Sequence, residues 1–210
     1  MRETIGRVGF YKNQVQPRLL NTLMGFKGTA KVRERVCAGL AGDVIEIGYG
    51  SGLNQPHLPD EVTGIWAVEP STTGLKLSAK RQATSSTPVV LGGDDAQSLP
   101  FPDNRFDAAL STWTMCGIPD TAAALREVAR VLKPGATLHF IEHGLSPDGK
   151  VARRQRRANN INKRIAGCLL DRDVRSLLEA SGLTVTALET YYEKGAPKSM
   201  SYTYEGRATA

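Results

Sequence analysis

Val44-Ile45-Glu46-Ile47-Gly48-Tyr49-Gly50-Ser51-Gly52 carries the most chemical content in the chain. An apolar run that closes on an acid and three alternating glycines takes the backbone from a buried strand into a turn. Such a turn can approach a ligand closely, because glycine adopts dihedrals that a Cβ forbids. A dinucleotide fingerprint would place its third glycine at position 53, which is Leu53, so the pattern is E-x-G-x-G-x-G instead. Glu46 is expected to be a buried acid, and a buried carboxylate requires a donor. Glu69 closes the next apolar run, 21 residues after Gly48, with Pro70 behind it. A carboxylate there can accept both hydrogen bonds of a ribose diol, although a surface acid ahead of a helix start would look the same.

Other candidates lie further along the chain. His143 follows Glu142 at the end of an apolar run and suits a general base with a near-neutral pKa; a loop histidine with no catalytic task fits equally well. Ser111-Thr112-Trp113 leaves another such run, where main-chain groups can face a ligand and an indole can wall a cation, although an aromatic after a strand that simply packs fits equally well. Cys37, Cys116 and Cys168 are odd in number and lack C-x-x-C spacing, which argues for reduced thiols and against a disulfide framework or a metal site. The run Lys150, Arg153, Arg154, Arg156, Arg157, Lys163 and Arg164 concentrates much of the net charge of +6. It suits a solvated helix face, an anionic acceptor or a membrane surface; without interleaved aromatics, nucleic acid is disfavoured.

These residues need a frame, and the sequence supplies one. With 210 residues, 40% hydrophobic and 23% charged, the composition is that of a globular domain with a sizeable core. No apolar run approaches the ~20 residues of a membrane span. Arg2, Glu3 and Arg7 occupy the amino terminus without an apolar stretch, so no secretory signal and a cytoplasmic location are expected. Strand-like runs at 43–47, 64–69, 88–91, 106–111, 137–142, 183–188 and 201–205 alternate with helical ones, the rhythm of a mostly parallel α/β sheet with helices on both faces. One helix is predicted from an Asp120 or Thr121 cap to a stop at Pro134-Gly135, another from an Asp173 cap to Gly182. Residues 1–42 are expected to form a mainly helical extension before a domain at 43–210.

The acidic-x-Gly-x-Gly-x-Gly loop resembles the first motif of class I S-adenosylmethionine-dependent methyltransferases, of the small-molecule, ubiquinone-biosynthesis-like group. Gly92-Gly93-Asp94-Asp95-Ala96 with Leu99-Pro100-Phe101 resembles a second segment of that group. The resemblance implies a Rossmann-like, seven-stranded fold, S-adenosylmethionine as cofactor, and an amino-terminal lid. It further implies cofactor contacts at Glu46, Gly48, Tyr49, Gly50, Gly52, Glu69, Pro70, Asp95, Ala96, Ser111 and Thr112. In that reading Asp95 accepts from the adenine amino group and Ala96 offers its N–H. Four segments, Phe106-Asp107-Ala108-Ala109 into Thr114-Met115-Cys116, Leu125 to Gly135, Phe140 to His143, and Gly167 to Arg172, resemble the methyltransferase-like 7 family, which methylates alkyl thiols. The expected reaction is metal-independent in-line transfer to a small-molecule acceptor, leaning to a thiol. The alternative acceptors are a quinone, a secondary metabolite or a phospholipid headgroup at the membrane surface, reached through the basic run at 150–164.

Overall fold

The computed structural model describes residues 10–210, so the expectation resting on Arg2, Glu3 and Arg7 lies outside the described residues. The strands are β1 (Gly42–Ile47), β2 (Val62–Val68), β3 (Val89–Gly93), β4 (Phe106–Thr112), β5 (Leu132–His143), β6 (Thr184–Tyr192) and β7 (Tyr202–Thr209). The helices are α1 (Gln16–Leu23), α2 (Lys27–Cys37), α3 (Thr72–Gln82), α4 (Thr121–Val131), α5 (Gly149–Ile165), α6 (Val174–Ala180) and the short α7 (Lys198–Ser201). The strands form one seven-stranded sheet in the order β3-β2-β1-β4-β5-β7-β6. Pairing is parallel for β1 with β2, β2 with β3 and β4 with β5, whereas β7 runs antiparallel to both β5 and β6.

The chain divides into two compact units, Met1–Asp95 and Ala96–Ala210. In the first unit, Val44 and Ile45 of β1 and Ile65 and Ala67 of β2 are wholly buried, as expected of strands covered on both faces. Among the described residues before β1, α1 and α2 are helical. Val36, Cys37 and Leu40 of that stretch are buried with the core rather than set apart from it.

In the second unit, Phe106 and Leu110 of β4 and Leu138, Phe140 and Ile141 of β5 are fully buried. Helix α4 adds Ala124, Leu125, Val128 and Val131 at i, i+1, i+4, i+7, and its Asp120 cap accepts from the Ala123 N–H at 2.9 Å. It ends at Val131, before the expected Pro134-Gly135 stop, because Leu132 turns extended and pairs with Phe106 while the Arg105 N–H takes the Val131 carbonyl. Pro134 and Gly135 therefore lie inside β5. Arg130, bonded to Glu127, Asp103 and the carbonyls of Leu99 and Phe101, straps the 99–103 loop to the same helix.

Helix α5 starts at an Asp148 cap and buries Val151, Ala152, Gln155 and Asn159 along one side. Gln155 holds the loop that follows β5, donating to the Gly144 carbonyl at 2.9 Å and accepting from the Ser146 N–H at 3.0 Å. The opposite side presents Arg153, Arg154, Arg156, Arg157, Lys163 and Arg164 to solvent, with Ile161 and Ile165 more than half exposed among them. Helix α6 has the expected Asp173 cap and closes at Gly182 with φ +90°, in the left-handed conformation typical of a helix C-terminus. No helix among the described residues is long and apolar enough to cross a membrane.

Candidate cofactor and acceptor sites

In the first unit, β1 runs into a loop whose glycines all adopt left-handed dihedrals: φ is +73° at Gly48, +57° at Gly50 and +72° at Gly52. A Cβ on Gly52 would lie 2.7 Å from the Tyr49 hydroxyl oxygen and 3.1 Å from Ser78 Cβ, so this glycine is fixed by packing. A Cβ on Gly50 would meet only the Gly48 carbonyl oxygen at 3.8 Å and Glu69 Oε2 at 4.0 Å, so the loop is open there. Glu69, at the end of β2, is 9% exposed; its Oε2 accepts from the Gly50 N–H and its Oε1 from the Ser71 N–H, both at 2.7 Å. Burial raises its carboxyl pKa against those two bonds. Each carboxylate oxygen keeps a second lone pair for a ligand hydroxyl.

Glu46, near the end of β1, is 1% exposed. Its Oε1 accepts from Asn54 Nδ2 at 2.7 Å, while Asn54 Oδ1 accepts from Arg33 Nη1 at 2.5 Å. The second oxygen, Oε2, is buried with no hydrogen-bond partner among the described residues. Burial lifts this carboxyl to about 7, with the Asn54 bond and the Arg33 charge pulling the other way. A buried carboxylate with one idle oxygen is a receptor for a cation that donates a hydrogen bond. Tyr49 is placed differently from a ligand wall. It is 3% exposed, with its hydroxyl 3.3 Å from Gln55 Oε1 and beside Ser78, and it packs the back of the loop against α3. Pro70 and Asp95 are exposed at the ends of β2 and β3.

In the second unit, Ala96 is buried, and Ser111 and Thr112 close β4. The Ser111 hydroxyl donates to Glu142 Oε1 at 2.8 Å, and the Thr114 N–H reaches the same oxygen at 2.9 Å, so this hydroxyl serves the buried acid. Trp113 takes φ +51°, a left-handed backbone that is uncommon for a bulky residue, and its N–H donates to the Ile141 carbonyl at 2.7 Å. Glu142 is fully buried and lifted to about 7 by desolvation, offset by the bonds from Thr114, Met115 and Ser111; its Oε2 has no hydrogen-bond partner among the described residues.

His143 does not stand alone. Its ring nitrogen and the sulfurs of Cys116 and Cys168 all lie within 4.8 Å of one another. The segment carrying Cys168 is tied beside Cys116: the Leu169 N–H donates to the Cys116 carbonyl at 2.9 Å, and the Leu170 N–H donates to Asn159 Oδ1 at 2.9 Å. The Cys116 thiol bonds to Cys168, which pushes Cys116 up and Cys168 down. Burial would lower His143, but the neighbouring Cys168, Glu142 and Glu193 more than reverse it. Sequence reading missed Arg33, Asn54 and Cys168. For Cys168 a signal existed: three of the four segments likened to thiol methyltransferases each supply one member of this trio.

Residues 45–140 match a family model described as a methyltransferase domain. A solved S-adenosylmethionine-dependent methyltransferase from Thermotoga maritima superposes with a TM-score of 0.67 at 20% identity, covering 95% of this chain and 97% of that one. Over residues 45–140 the chain is thus similar to methyltransferase domains, and its fold is that of the solved methyltransferase. Among curated relatives, demethylmenaquinone methyltransferases of Corynebacterium kroppenstedtii and Corynebacterium efficiens are 36% identical over 99 residues and 33% identical over 129 residues. These matches take in 47% and 59% of this chain. The chain spans about half the length of these relatives, 41% and 53% respectively. The residues present fit S-adenosylmethionine, the cofactor on which the solved methyltransferase depends. Glu46 Oε2 would take the ammonium group, the open side of Gly50 leaves room for the ligand, and Glu69 would take the ribose hydroxyls. The bound cofactor supplies an electrophilic methyl group.

Proposed function

We propose that the protein transfers a methyl group from S-adenosylmethionine to a small-molecule acceptor, a quinone-type ring first among the candidates. The observation that carries the transfer is the buried, half-satisfied Glu46 beside the glycine loop and Glu69, a set that suits a ligand with both an ammonium group and a ribose. The chain's own work is positional: the loop fixes the ribose end, Glu46 fixes the amino-acid end, and alignment of the methyl group with an incoming nucleophile does the rest. The names of the relatives favour a quinone. So does the cationic α5 with its exposed Ile161 and Ile165, which suits the surface of an anionic membrane, where lipid-tailed acceptors reside.

A thiol acceptor is the second reading, favoured by the convergence of Cys116, His143 and Cys168 at one place. The deciding experiment incubates the chain with methyl-labelled S-adenosylmethionine and a panel of a demethylated naphthoquinol, an alkyl thiol, a phenol and phosphatidylethanolamine. Label in the naphthoquinol supports the first reading and label in the thiol alone the second. S-adenosylhomocysteine formation with none of them would remove both.

A further inference from the structure

Cys116, His143 and Cys168 bring three metal-ligating atoms together among the described residues, and none of them belongs to the set proposed to hold the cofactor. The geometry points to a site for a zinc-class divalent ion, held by Cys116 Sγ, a His143 ring nitrogen and Cys168 Sγ, with one coordination position left open. In a tetrahedral site with Zn–S near 2.3 Å and Zn–N near 2.0 Å, ligand atoms sit roughly 3.5 to 3.8 Å apart. The trio already lies within 4.8 Å, so a contraction of roughly 1 Å between ligand atoms reaches that geometry. The donor set of two soft sulfurs and one imidazole is a zinc set. Three protein donors with an open fourth position is the arrangement of reactive rather than purely structural sites.

The surroundings agree. The two cysteines are 4% and 9% exposed, and Leu170 completes a small buried cluster with them. Two thiolates balance a divalent charge, which makes the filled site neutral in a place where an unpaired ion would be costly. The charged neighbours are Glu142 and Glu193 on one hand and Arg172 on the other; the Arg172 guanidinium is anchored to the Ile118 carbonyl at 2.6 Å. Binding displaces two protons from the trio to the buffer, because both sulfurs end as thiolates and the imidazole ends neutral. The absence of C-x-x-C spacing does not bear on this site, since the ligands come from the loop after β4, the end of β5 and the loop after α5.

Cobalt(II) reports the site directly. The full chain, reduced and stripped with a chelator, is titrated with cobalt(II), then challenged with zinc, while folding is followed by circular dichroism and by binding of S-adenosylhomocysteine. One cobalt per chain is expected, with thiolate-to-cobalt charge transfer in the near ultraviolet and intense tetrahedral bands in the visible, all abolished by zinc. Cys116→Ser and Cys168→Ser should each halve the charge-transfer intensity. His143→Gln should keep it but weaken binding by at least roughly tenfold. No cobalt uptake by a folded chain with three titratable thiols would overturn the proposal. Uptake unchanged in all three variants, or a Cys116–Cys168 disulfide forming in place of uptake, would also overturn it. S-adenosylhomocysteine binding, which uses other residues, separates failure of this site from failure of the methyltransferase reading.

Discussion

Glu46→Gln is the most revealing change, because Glu46 is asked to do two opposed things. With its carboxyl lifted to about 7 by burial, it is mostly protonated in the free protein at mildly acidic pH, yet the cofactor's ammonium group needs the carboxylate. If only the ionised form binds, the apparent Kd scales as 1 + 10^(pKa − pH). That makes S-adenosylmethionine bind about 15-fold more tightly at pH 7.0 than at pH 5.5. Glu46→Gln keeps an acceptor for Asn54 Nδ2 but removes the charge. Affinity should then fall by about 10- to 100-fold, the equivalent of one charge-assisted hydrogen bond, and lose its pH dependence. Stability should move the other way. The folded-state pKa lies above the unfolded value of 4.5, so the native chain holds more protons through that window and loses stability as pH rises toward 7. At pH 8 the variant should gain up to about 3 kcal/mol over the free wild type, an upper limit set by the rise of the carboxyl from 4.5 to about 7. Isothermal titration calorimetry across pH 5.5–7.0 and urea unfolding at pH 5 and 8 read both. Wild-type affinity that stays flat with pH, or a variant that binds as tightly as wild type, would refute the assignment of Glu46 to the ammonium group.

Gly50→Ala should cost about 1 kcal/mol of stability from the left-handed dihedral while cutting cofactor affinity at least tenfold, because its Cβ would occupy the open side of the loop. Gly52→Ala should be worse for folding, by about 2 to 3 kcal/mol in thermal or chemical unfolding, since its Cβ would press on Tyr49 at 2.7 Å. Glu69→Ala leaves the N–H groups of Gly50 and Ser71 without their acceptor, and should lose about 1 to 3 kcal/mol of stability together with ribose-dependent affinity. Replacing Arg153, Arg154, Arg156 and Arg157 with serine should reduce co-sedimentation with phosphatidylglycerol vesicles by about 1 kcal/mol per cation, and 0.5 M salt should mimic the change. Wild-type chain that fails to sediment at low salt would remove the membrane role of α5.

Much of the frame was legible because strands such as β1, β2 and β4 are short, mostly apolar runs, and because three alternating glycines announce a loop. The limits of β1 and β4 moved by a single residue for that reason. The start of β5 was hidden, since Pro134-Gly135 reads as a helix stop and only pairing with β4 makes Leu132 extended. Glu46 was rightly marked as an acid in need of a donor, but Asn54, which supplies half of that need, sits in a loop with no pattern. Tyr49 looked like a ligand contact because it lies between glycines; its direction is set by α3 packing, which a linear sequence does not display. Spacing gave no sign of the thiol neighbours of His143, because contacts between β5 and two remote loops follow from topology; only the likeness of three separate segments to one family hinted at them.

The antiparallel placement of β7 between β5 and β6 bears on how the chain assembles as it leaves the ribosome. Strands β1 to β3 are adjacent in order and can pair as soon as residue 93 has emerged. By contrast, β5 and β6 face each other across a gap that only Tyr202–Thr209 fills. At ~5 to 20 residues per second, the nascent chain spends seconds with both edges bare, an invitation to chaperone capture or to pairing with a neighbouring nascent chain. The second unit is thus completed by threading, and its yield in a cell should depend on what guards those edges during the wait.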